Sequence, residues 1–134
     1  MKIFVENNLR MLVLKFGGTS VGSVENFRKV AAIVNKVRED KIVVLSAMSG
    51  VTNTLVEISE NLSQGNSTRA TAIIESLDKK YRQVVSDLLR EAPTQETAFE
   101  LLDAHLELLI GFTEEVFSEK IEKQILAQGE LIST

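Results

Sequence analysis

The chain has 134 residues, 44% hydrophobic and 25% charged, which suits one globular domain with a core of its own and gives no reason for disorder. With 15 basic residues against 19 acidic ones, the net charge of −4 lacks the positive surplus needed to track a nucleic-acid backbone. There is no cysteine, which excludes disulfides, thiolate catalysis and cysteine metal sites and fits a reducing cytoplasm.

The stretch from Met1 to Asn8 breaks its apolar run after three residues. That is short of the ~7 to 15 that a secretory signal uses. Nowhere do about 18 apolar residues run together, so export and a membrane span are disfavoured.

The first informative segment, Met11 to Phe16, is an apolar run that stops at Gly17-Gly18-Thr19-Ser20. It predicts a strand buried on both faces that enters a glycine turn. Ser23 is placed to cap a helix running to about Glu39, with Val24, Phe27, Val30, Ala31, Val34 and Val37 on its buried face. A second apolar strand follows over Lys41 to Ser46 and ends in Ala47-Met48-Ser49-Gly50. Strand, helix, strand predicts a right-handed parallel unit whose two loops share the carboxyl end of the sheet, where open α/β sheets bind ligands.

Leu55, Val56, Ser59 and Leu62 mark the next helix, and Ser63 to Thr68 form a polar break. A helical stripe from Ala70 to Leu89 continues up to Pro93, the only proline, and a new helix is predicted from about Thr94. Gly111 and Thr113 suggest another break before a stripe through Val116, Phe117, Ile121, Ile125 and Leu126. The closing residues, Gln128 to Thr134, look like the opening of a helix. Two strands with four or more helices leave a sheet too small to cover its faces and edges, so a longer parent chain is expected.

Lys15-Phe16-Gly17-Gly18-Thr19-Ser20 sets an ammonium at a strand end, then two residues without side chains, then two hydroxyls. Bare amides can approach phosphate oxygens closely, and a lysine offsets the charge on a transferring phosphoryl group. A turn that merely needs glycine, with a lysine snorkelling at the sheet edge, would look the same.

Ser46, Ser49 and Thr52 offer hydroxyls beside a helix start, a place suited to a small carboxylate or to ordinary capping. Glu130 could accept from an ammonium group, or be an exposed glutamate in a first helical turn. His105 has no second histidine or carboxylate at metal-ligand spacing and is read as a helix-flank residue. Asp78-Lys79-Lys80 and Glu119-Lys120 with Glu122-Lys123 are read as solvated helix faces without function.

Lys15 to Val21 resembles the N-terminal signature of the aspartate kinases, members of the amino-acid kinase family. Val43 to Asn53 is similar to that family's second strand and threonine-asparagine helix start, and Gln128 to Ser133 to its glycine-glutamate-leucine-x-serine block. The resemblance implies an α/β, partial amino-acid kinase fold: a truncated, helix-rich parallel sheet flanked by helices. It makes residues 11–134 the amino-acid-binding part of a catalytic domain, without its second lobe or regulatory domains, and residues 1–10 an extension of unknown role.

The resemblance also implies that Lys15, with Phe16, Gly17, Gly18, Thr19 and Ser20, contacts the phosphates of ATP. Ser46, Thr52 and Glu130 would bind L-aspartate. The implied reaction gives ADP and 4-phospho-L-aspartate with Mg2+, at the entry to lysine, threonine and methionine synthesis, in a cytoplasmic homo-oligomer. A segment lacking the second lobe is expected to be inactive alone. A non-catalytic binding module of the same fold, or a kinase of another amino acid, are the alternatives.

Overall fold

A computed structural model describes residues 11–133; the extension over residues 1–10 lies outside them. The elements in order are β1 (Leu12–Phe16), α1 (Val24–Lys36), β2 (Lys41–Leu45), α2 (Val51–Ser63), α3 (Ser67–Leu88), α4 (Ala92–Gly111) and α5 (Glu119–Ser133). β1 and β2 pair in parallel, from Leu12 beside Lys41 to Phe16 beside Leu45, with α1 as the crossover. The Leu12 amide donates to the Asp40 carbonyl at 2.8 Å, and the Ser46 amide to the Phe16 carbonyl at 3.0 Å. This is a helix-rich α/β arrangement with a small parallel sheet, as the resemblance to the amino-acid kinase family implies.

Both strands differ from expectation in one respect. They were predicted to be buried on both faces, yet Leu12, Val13, Ile42 and Val44 are exposed, Val13 to 65%. Two strands and one crossover helix do not supply enough surface to cover them.

The core lies instead among the helices. α2 packs against α3 and α5, and α3 against α4, closing over Leu55, Ile58, Ile74, Leu109 and Ile125, each at most 2% exposed. Truncating Leu109 to alanine removes a fully enclosed side chain. It should lower unfolding free energy by about 2–5 kcal/mol, read by denaturant titration; a loss below about 1 kcal/mol would contradict this packing.

Several boundaries moved. α1 is capped as expected, the Asn26 amide donating to Ser23 Oγ at 3.2 Å, but it ends at Lys36 rather than Glu39. Val37 turns to extended backbone there, and Lys41 Nζ holds its carbonyl at 2.7 Å. The polar break shortens because Asn66 caps α3, its side chain accepting from the Arg69 amide, so Ser67 and Thr68 are already helical. α4 starts at Ala92 with Pro93 in its first turn, where proline's missing amide hydrogen costs no bond. Val116 and Phe117 precede α5 instead of joining its stripe, Val116 being 91% exposed. The residues expected to open a helix are the last turns of α5. None of the helices among the described residues is long and apolar enough to cross a membrane.

Candidate functional site

The two strands are parallel and in register, so the loops that leave them emerge at one end of the sheet. A Cβ built on Gly18 would lie 2.8 Å from the Ala47 carbonyl oxygen, closer than any side chain tolerates. One built on Gly22 would lie 3.1 Å from Ser49 Cβ. Glycine at these two positions is what lets the 17–22 turn seat against the 46–50 turn.

The first turn folds on itself. The Ser20 amide donates to the Gly17 carbonyl at 2.8 Å and the Gly22 amide to the Thr19 carbonyl at 3.3 Å. Asn26 Nδ2 takes the Thr19 carbonyl at 2.9 Å, tying the turn to α1. The amides of Gly17, Gly18 and Thr19 have no partner among the described residues. Lys15 is exposed at the end of β1 and Phe16 is half-buried, while Thr19 and Ser20 stand exposed on the turn. A cluster of open amides beside an ammonium suits an anionic oxygen.

In the second turn Ser46 is half-buried, and Ser49 and Thr52 are exposed. The alternative of ordinary capping does not apply to them, because the N-cap of α2 is Gly50, in the left-handed region at φ 83° with no side-chain cap. The Val51 amide returns to the Met48 carbonyl at 3.0 Å, but those of Thr52 and Asn53 have no partner among the described residues. They add the positive end of a 13-residue helix to the site.

The neighbour of Glu130 in the chain, Gly129, packs against this end. Gly129 is buried so tightly that a Cβ on it would lie 2.9 Å from Ala47 Cβ and 3.2 Å from Leu55 Cδ1. α5 is thereby pressed against the β2–α2 turn and the start of α2, with Glu130 exposed on the next position. The expectation of a first-turn glutamate was wrong: Glu130 sits near the carboxyl end of its helix.

Two residues gain a place that spacing did not give them. Lys80, read as part of a solvated face, sends Nζ to the Ser49 carbonyl at 3.3 Å and brings a second cation to the β2–α2 turn. A contact between residues 31 apart has no signal in local pattern. Tyr81, the only tyrosine of the chain, is 4% exposed, and no well-formed hydrogen bond reaches its hydroxyl. Burial pushes this phenol up to about 12 from an ordinary 10.0; nearby Ser133 lowers it and the charge of Glu130 raises it. Ser133 Oγ itself donates to the Gly129 carbonyl at 2.9 Å, so closeness to the phenol does not amount to a bond from it.

The folded chain therefore holds the Tyr81 proton to higher pH than the unfolded one. The phenol's contribution to stability is constant below pH 10 and is lost as pH rises toward 12. Tyrosinate absorbance of this chain should titrate near 12; titration at the ordinary value would show the phenol to be solvated.

His105 Nδ1 lies 2.7 Å from Oε1 of buried Gln128 and ties α4 to α5. Since Gln128 Nε2 is committed to the Gln124 carbonyl, Nδ1 is the protonated ring nitrogen. Glu119 and Lys123 pair at 2.6 Å on an exposed face, as read. Among the described residues no three His, Cys, Asp or Glu side chains come together as a metal site.

The model of the amino acid kinase family matches residues 10–133. Among curated proteins, the aspartokinase of Chlamydia trachomatis is 36% identical over 92% of this chain and 26% of its own length. Lysine-sensitive aspartokinase 3 of Escherichia coli K12 is 30% identical over 92% and 27%. The aspartate kinase of Pseudomonas putida is 45% identical over 71 residues, 51% of this chain and 17% of that protein. The chain thus spans about a quarter, or less, of the relatives it matches.

Among solved structures, E. coli aspartokinase III in complex with aspartate and ADP superposes with a TM-score of 0.66 at 28% identity, over 92% of this chain and 27% of that one. The Clostridium acetobutylicum aspartate kinase gives 0.68 over 93% and 28%, and at 18% identity speaks for the fold alone.

Proposed function

The chain belongs to the amino acid kinase family and its relatives are aspartokinases, and from that premise we propose that it is the amino-acid-binding part of an aspartate kinase. The parent enzyme transfers the γ-phosphoryl group of ATP to the side-chain carboxylate of L-aspartate. The observation that carries this is the abutment of the two turns, Gly18 against Ala47 and Gly22 against Ser49, which gives phosphate and amino acid one meeting place.

A carboxylate oxygen of aspartate attacks the γ-phosphorus, the bond from that phosphorus to the bridging oxygen breaks, and ADP leaves. The products are ADP and 4-phospho-L-aspartate. The attacking carboxylate is already ionised near neutral pH, so no general base is needed. What remains is positioning and charge compensation. Lys15 and the amides of Gly17 and Gly18 hold the transferring oxygens, with Phe16, Thr19 and Ser20 shaping the turn. Ser46, Thr52 and the open amides of α2 receive the amino acid's carboxylate, and Glu130 accepts its ammonium.

Mg2+ accompanies ATP in such reactions, often held through the phosphates themselves. The carboxylates of the described residues do not form a cage for it, so no step is assigned to the ion.

The exposed apolar strand faces favour a larger sheet in the parent over a free-standing binding module. The parent is taken to be a cytoplasmic homo-oligomer serving lysine, threonine and methionine synthesis. This chain alone should be inactive, since one lysine and a turn cannot align both substrates. The test offers ATP with L-aspartate, L-glutamate, N-acetylglutamate or carbamate to the full-length enzyme and traps acyl phosphate with hydroxylamine. Trapping with aspartate alone is expected, and a preference for glutamate would overturn the assignment.

A further inference from the structure

Lys80 lies on α3, and its ammonium crosses to the turn before α2, where it donates to the Ser49 carbonyl at 3.3 Å. A Cβ built on Gly50, the N-cap of α2, would lie 4.0 Å from the same Nζ. The seat of this lysine is fixed by its neighbours. Leu77, one turn before it, and Tyr81, the next residue, are both buried in the core that α3 shares with α2.

The start of a helix is its positive end, where acidic side chains are favoured and basic ones are not. Yet the first turn of α2 has no acidic residue, and a lysine stands beside its N-cap. A bond of 3.3 Å between exposed groups adds little to folding stability, so it does not by itself explain an ammonium held against the helix dipole. Lys80 also forms no ion pair among the described residues. The turn's neighbouring carbonyls are already taken, that of Met48 by the Val51 amide at 3.0 Å and that of Gly50 by the Thr54 amide at 3.1 Å. What is left open at this place is positive: the amides of Thr52 and Asn53 and the ammonium of Lys80. An anion relieves both.

We propose that Lys80 belongs to the amino-acid site: seated on the Ser49 carbonyl, its ammonium joins the open amides of α2 in receiving the carboxylate of the bound amino acid. The inference rests on the placement of that carboxylate at Ser46, Thr52 and the start of α2. Two cations then divide the substrates, Lys15 facing the phosphates and Lys80 the amino acid.

The experiment measures KM for L-aspartate and for ATP, kcat and thermal midpoint in the full-length enzyme for Lys80→Met, Lys80→Arg, Lys79→Met and Thr52→Val. Lys80→Met, which keeps the length of the side chain without its charge, is expected to raise KM for aspartate about tenfold, the scale of one charge-assisted bond. Its kcat and KM for ATP should stay within about twofold, and its thermal midpoint should match the parent's. Lys80→Arg should recover most of the affinity, because an exposed seat on a carbonyl admits either cation. Lys79→Met removes an adjacent exposed charge that has no bond to either turn, and should change nothing.

An unchanged KM in Lys80→Met overturns the proposal, and so does an equal rise in Lys79→Met, which would trace the effect to overall charge. A lowered thermal midpoint and a raised KM in both Lys80→Met and Lys80→Arg would also overturn it, by making the lysine structural. Thr52→Val separates the proposal from its premise. KM unchanged in Thr52→Val removes the carboxylate's placement and the proposal with it. KM raised in Thr52→Val but not in Lys80→Met removes the lysine's role and leaves the placement standing.

Discussion

Lys15→Ala in the full-length enzyme should lower kcat for aspartyl phosphate formation by roughly a hundred- to a thousand-fold, the usual scale for losing one preorganised charge at a transferring group. The fold should survive, because Lys15 is exposed and forms no ion pair among the described residues. Thermal midpoints of parent and variant should therefore agree, and the deficit should appear in kcat more than in KM for aspartate. Lys15→Arg should not restore the rate: a forked guanidinium does not fit a place built for a compact point charge. Hydroxamate formation at the parental rate by Lys15→Ala would show that the ammonium is only a snorkelling strand-end residue.

The second large effect is expected from Gly18→Val. The nearest atom to the new Cβ is a backbone oxygen, that of Ala47 at 2.8 Å, which cannot rotate away as a side chain would. The two turns must separate. Overpacking of this kind costs about 1–3 kcal/mol of stability. Its effect on rate should be larger, since a shift of about 1 Å between reacting groups costs on the order of a hundredfold. Gly17→Ala is the control, because a Cβ on Gly17 meets nothing within 4 Å. Equal activity of the two variants would mean that the turns do not need to touch.

What the sequence made legible was local. The apolar runs that end at Gly17 and Ser46 and the Ser23 cap each depend on neighbours a few positions away, and each formed about where it was read. Of the face expected to be buried on α1, by contrast, only Val30 is buried and Ala31 is exposed. Parallel pairing followed from the crossover, and with it the common end of the two turns. Burial of the strands was misjudged because it depends on surface that two strands and one helix do not provide.

The other misses have the same origin in distant contacts. Lys80 sits in a charge run that reads as solvated, and only the antiparallel seating of α3 beside α2 brings its ammonium to Ser49. Gln128 to Thr134 looked like the opening of a helix, but they are the end of one, and the close packing of Gly129 on Ala47 and Leu55 accounts for a glycine inside it. Tyr81 fell within an ordinary apolar stripe, and nothing in that stripe signals that its hydroxyl would be left unpaired.

The proposed kinase site is a single binding place shared by the turns after β1 and β2. A crystal structure of the full-length enzyme with L-aspartate and ADP tests this directly. The amino acid should lie between the 17–20 turn and the start of α2, its carboxylate on Ser46 or Thr52 and its ammonium on Glu130, with Lys15 Nζ facing the nucleotide phosphates. Aspartate bound where it touches neither turn would contradict the account.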